Sequence, residues 1–146
     1  MRTLFIVAIA VVTMPGVALT EVVDVAEGEM LLLQGTWQLI SAIKDGKQTP
    51  DENVRKIRVI IKDGKHSVYF GDEMIVKGIS FVVDPTKNPK ASTDTLPDGR
   101  RIEGIYRLEG DTLTTCVAEA GKPRPLQFES NPESGHTLRV FNRVKP

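Results

Sequence analysis

From Thr36 onward, apolar and polar residues alternate in short runs instead of recurring at helical spacing. Trp37, Leu39, Ser41 and Ile43 fall on one side of an extended segment, and Thr36, Gln38, Ile40 and Ala42 on the other. A period of two is what a half-buried β-strand requires, because successive side chains leave its backbone on opposite faces. The same alternation predicts strands over 57–62, where Ile57, Val59 and Ile61 share a face, and over 65–70, where His66, Val68 and Phe70 do. It continues over 73–83, interrupted by Gly78, which predicts a bulge or bend. Strands over 101–108 (Ile102, Gly104, Tyr106 and Leu108 on one face), 112–118, 126–130 and 137–144 complete the series.

The connections carry the chemistry of tight turns. Asp45-Gly46, Asp63-Gly64, Gly71-Asp72 and Gly110-Asp111 supply residues that tolerate left-handed backbone angles. Thr49-Pro50-Asp51-Glu52-Asn53 has the order of a helix start and predicts a single turn. Residues 21–33 predict a short helix or a lead-in, weakened at Gly28 by about 1 kcal/mol relative to Ala. Pro85, Pro89 and Pro97 mark 84–97 as a long connection with room for a short edge strand at 90–95. About eight to ten short strands, with no helix long enough to cross between parallel ones, predict an all-β fold. Its simplest form is a closed antiparallel up-and-down β-barrel, since closure removes exposed edges. A two-sheet sandwich is the alternative.

The first residues follow another logic. Met1-Arg2, the apolar run from Leu4 to Val12, the break at Met14-Pro15-Gly16 and small residues at Gly16 and Ala18 form the order of a secretory signal peptide. The expected organisation is a signal peptide at 1–20, a lead-in at 21–33 and a barrel domain at 34–146. The mature domain is expected outside the cytoplasm, periplasmic or secreted, without a stable membrane anchor. Cys116 is the only cysteine, so neither an intrachain disulfide nor a lipid-bearing cysteine near the cleavage point is available. Charge balances, with 19 basic and 19 acidic residues and no basic block, which argues against nucleic acid as a partner.

Gly35-Thr36-Trp37 at the start of the first strand resembles the Gly-x-Trp of lipocalins and lipocalin-like barrels. The resemblance implies that Trp37 plugs one end of the barrel and that Arg143, in the last strand, packs across it, with Gly35 part of the same closure. Taken with the run from Gly104 to Leu113, Arg124-Pro125-Leu126-Gln127-Phe128 and Leu138-Arg139-Val140-Phe141, the pattern from Leu33 to Lys145 is similar to an uncharacterised family of secreted lipocalin-like domains numerous in planctomycete bacteria. It implies a fold and an exported location, and no reaction.

Candidate chemistry is sparse. Cys116 has no base in a recognisable spacing, and a packed small hydrophobe is the ordinary role of a lone cysteine. His66 and His136 form no His-x-His pair, and no cofactor or metal is expected. Arg124 is held stiffly between Pro123 and Pro125, which suits capture of a carboxylate, either a ligand's or an internal one such as Asp94 or Glu103. Tyr106 and His66 fall on faces that point into a barrel. Arg124, Tyr106, His66 and Asp94 are thus the candidate ligand contacts. The expected function is non-covalent binding of a small, mostly apolar or weakly acidic molecule. The alternative is a side-chain-filled barrel that engages an extracellular protein through 84–97. An enzyme centred on Cys116 is a third and less favoured reading.

Overall fold

The computed structural model describes residues 18–146, with side chains from Val25 onward, so the expected signal peptide lies outside the described residues except for its last three. The elements are helix α1 (Ala18–Leu33), strands β1 (Gly35–Lys44) and β2 (Lys47–Gln48), helix α2 (Asp51–Val54), and strands β3 (Ile57–Lys62), β4 (Lys65–Phe70), β5 (Glu73–Asp84), β6 (Lys90–Thr95), β7 (Arg101–Glu109), β8 (Thr112–Val117) and β9 (Thr137–Arg143). From β3 to β9 each strand pairs antiparallel with the next. β1 pairs with β3 on one edge and β9 on the other, closing an eight-stranded ring of β1 and β3–β9. Closure excludes the sandwich. It runs from Trp37 opposite Arg143 to Lys44 opposite Thr137, and β2 only extends β1 as a short hairpin.

Local sequence explains the turns that make this possible. Asp45 and Gly46, and Asp63 and Gly64, all have positive φ (49°, 76°, 52° and 72°). Two consecutive left-handed residues are what a two-residue hairpin needs if its twist is to match that of its strands. Gly78 (φ +59°) forms the expected irregularity: the β4–β5 register shifts between His66 and Val68, and the Gly78 N–H donates to Ser67 Oγ at 3.0 Å.

Three expectations are corrected. Residues 90–95 are no edge strand but β6, paired on both sides with β5 and β7 inside the ring. The polar sequence of β6 misled because Ser92 and Asp94 face the barrel interior while Ala91 and Thr93 are buried on its outer side. Residues 126–130 form no strand; this segment is irregular, and its backbone serves Cys116 instead of a ladder. The face assignment of β1 changes halfway along. Its register against β9 shifts between Leu39 and Ser41, leaving Ile40 46% exposed and turning Ala42 (6% exposed) inward in place of Ser41 and Ile43.

The core gathers at the α1 end, where Leu33, Trp37, Leu39, Val54, Ile61, Tyr106, Leu113 and Phe141 pack together. Helix geometry leaves the last carbonyls of α1 without intrahelical partners. Trp37 Nε1 donates to Leu33 O at 2.8 Å, and Arg143 donates from Nη2 to Leu32 O and from Nη1 to Gln34 O, both at 2.7 Å. The same guanidinium lies 4.3 Å over the Trp37 ring, and Arg143 Nε reaches Asp111 Oδ1 at 3.2 Å. Gly35 fits because its φ is +132° and a Cβ there would come within 3.1 Å of Arg143 Nη1. One turn back, Glu29 accepts from Lys90 Nζ at 2.6 Å and from the Tyr106 hydroxyl at 3.2 Å. These contacts hold α1 across one end of the ring.

Arg143→Ala removes two charge-assisted hydrogen bonds to carbonyls and the cover of a fully buried indole. A loss of about 2–4 kcal/mol is expected in chemical denaturation followed by Trp37 fluorescence. Arg100→Ala, which breaks an exposed ion pair with Asp98, should change stability far less.

Candidate functional site: a cavity inside the barrel

The ring is not filled by its side chains. A cavity of about 660 Å³ runs through it, within the roughly 300–1,000 Å³ typical of small-molecule sites. Its wall is mostly apolar, with Val59 and Ile61 from β3, Val68 from β4, Ile79 and Phe81 from β5, and Leu113 and Val117 from β8. Trp37 and Leu33 close it at the α1 end. β1 runs away from that end, and the cavity extends to Lys44 and Glu119, both exposed, at the opposite side.

Polar side chains interrupt the wall at a few places. His66 on β4 and Asp94 on β6 both line it, with Nε2 and Oδ2 3.3 Å apart. The His66 ring stands edge-on to Phe81, centroids 5.6 Å apart at 68°. Tyr106 lies at the closed end, its hydroxyl committed to Glu29. Burial and the Glu29 carboxylate push its ionisation well above the usual range for a phenol. Three of the four candidate contacts named from sequence therefore line the cavity.

Arg124 does not. It lies on the outside of the ring, where it pairs with Glu103 and donates to Thr93 Oγ1 at 3.1 Å, Gly104 O at 3.2 Å and Ser92 O at 3.3 Å. Of the two partners weighed from sequence, the internal carboxylate is the one it takes. Its role is to fasten the segment after β8 over β6 and β7. Cys116 sits beneath the same segment, fully buried, with Sγ donating to Glu129 O at 3.3 Å. Burial pushes this thiol above its ordinary value, the reverse of what an activated nucleophile needs.

The residue that sequence reading passed over is Arg139. On β9 it stands between Thr137 and Phe141, and all three line the cavity. The signal that could have found it is the alternation along 137–144, which puts Arg139 on the same face as Thr137 and Phe141. Its cross-strand neighbours are Ala42 on β1 and Thr115 on β8, both short. Among the described residues its guanidinium has no hydrogen bond or ion pair. Burial lowers its pKa, with Asp94 and Cys116 acting in the opposite direction. An arginine still carries its charge at neutral pH.

Among the described residues, no group of three or more His, Cys, Asp or Glu is placed to hold a metal ion. No helix among them is long and apolar enough to cross a membrane. Compared with protein-family models, curated proteins and solved structures, the chain matches none.

The buried acids set an expected pH dependence. Cys116 and Tyr106 hold their protons in the folded state beyond their ordinary values of 9.0 and 10.0. Above those values the unfolded chain loses protons first, so unfolding free energy should fall as pH rises, and Tyr106→Phe should flatten the upper part of that decline. The Cys116 thiol should resist iodoacetamide in the native protein at neutral pH and react once the chain is unfolded.

Proposed function

We propose that the chain is an exported lipocalin-like barrel that holds one small, mostly apolar molecule without transforming it. The carrying observation is the cavity: an apolar chamber within a closed ring, capped by α1, Trp37 and Arg143, and reaching exposed residues at the far side. An empty apolar volume of this size forfeits packing contacts that side chains would otherwise make, and a ligand restores them. The resemblance to secreted lipocalin-like domains supports the same reading, as does the order of the first residues for export.

The rival reading started from an interior packed with side chains and a free loop at 84–97. The cavity counts against the first premise, and the inclusion of β6 in the ring counts against the second. A reaction centred on Cys116 has little support, since that thiol is buried on the outer face with its proton held.

N-phenylnaphthylamine, a neutral fluorescent probe, should brighten and saturate near one equivalent per full-length chain. Thr115→Phe, which projects a ring into the cavity, should weaken that binding at least about tenfold while the thermal transition persists. No brightening with the wild-type chain, or brightening indifferent to Thr115→Phe, would contradict the container reading.

A further inference from the structure

Arg143, Arg124 and Arg139 differ in what engages them. Arg143 is committed to the Leu32 and Gln34 carbonyls and Asp111, and Arg124 to Glu103, Thr93 and two carbonyls. Arg139 has no such partners among the described residues, although it is the one that lines the cavity. The acid whose charge acts on it, Asp94, is drawn toward His66 at 3.3 Å. The other charged side chains lining the cavity, Lys44 and Glu119, are exposed at its far side. We propose that the ligand is a monocarboxylic acid with an apolar body, its carboxylate held by Arg139; this rests on the cavity being a binding site.

With no ligand in the cavity, water would solvate the guanidinium. A neutral apolar occupant would strip that water and leave a buried charge without a partner, which is costly. An organic cation would meet repulsion as well. A carboxylate replaces the lost water with two parallel charge-assisted hydrogen bonds matched to the planar fork. Ala42 and Thr115, the short residues on either side, leave that fork uncovered, and Thr115 adds a hydroxyl beside it. Along β9 the inward order is Thr137, Arg139, Phe141, with Thr137 opposite Lys44 and Phe141 opposite Leu39. The acid group therefore sits in the outer half, and the apolar body points down toward Trp37.

Titration calorimetry of the full-length chain with decanoate and decanol at neutral pH tests this. A ring-bodied pair, naphthylacetate and naphthylethanol, is run beside them so that a poor fit of the body is not mistaken for a missing acid site. At least one acid should bind more tightly than its alcohol, and Arg139→Gln should weaken that acid on the order of 10- to 100-fold while the alcohol binds as tightly as before or more tightly. Arg139→Lys should retain part of the preference. Because Arg139 bridges no groups among the described residues, Arg139→Gln should not lower the thermal midpoint; a lowered midpoint with unchanged acid binding would mark a structural residue and overturn the proposal. Acids and alcohols binding alike, with no effect of Arg139→Gln, would overturn the carboxylate site and leave the container standing. If none of the four binds, the carboxylate site is overturned, and N-phenylnaphthylamine then separates the outcomes: its binding preserves the container, and its failure removes both.

Discussion

One guanidinium ties the two ends of the ring to the helix that covers it. The last carbonyls of α1 lack intrahelical partners by geometry, and the indole of Trp37 is buried at the end of the barrel. Arg143, from the final strand, satisfies one of those carbonyls, Leu32, together with that of Gln34 just beyond the helix, and lies across that ring. Its own strand is the one that pairs with β1 to close the sheet. Helix docking, indole burial and ring closure are thus coupled through one side chain. Gly35 is the backbone concession that lets it approach.

Because the cap is built this way, the core gathers near α1 and the remainder of the interior is left open. Inward residues at the closed end are large and interlocked. Farther along, the wall includes Ala42, Ser92, Thr115 and Thr137, whose small side chains leave volume unfilled. The charges divide by the same geometry. Glu29, Lys90 and Tyr106 satisfy one another at the closed end, while Arg139 faces the open volume. A charge kept at a mostly apolar wall without a partner among the described residues is a costly arrangement unless something else meets it.

Much of the fold was legible in the chain. Turn dipeptides and alternation located most of the ring, and Gly35, Trp37 and Arg143 could be singled out before any coordinates. What local pattern could not supply was phase and context. The shift between Leu39 and Ser41 exchanges the faces of β1 midway, and nothing in Ile40-Ser41-Ala42 announces it. β6 looked too polar for an interior strand because a ligand-sized cavity tolerates Ser92 and Asp94 where a packed core would not. The segment at 126–130 carries strand-like alternation but lies outside the ring, with Leu126 81% exposed and Phe128 packed under Arg107. For the site, periodicity brought His66 and Tyr106 to the interior. The stiffness of Pro123-Arg124-Pro125 suits a ligand's carboxylate and an internal one alike, and only the fold selects Glu103, to which Arg124 fastens a loop.

If the ring encloses a chamber made to be occupied, an apolar acid should be found within it. The most direct measurement is a crystal structure of the full-length chain grown with terminally brominated decanoate, with the bromine located by anomalous scattering. Bromine is expected inside the ring on the Trp37 side of Arg139, with the carboxylate against that guanidinium. Bromine found only on the outer surface, or an interior closed up by the protein's own side chains, would contradict it.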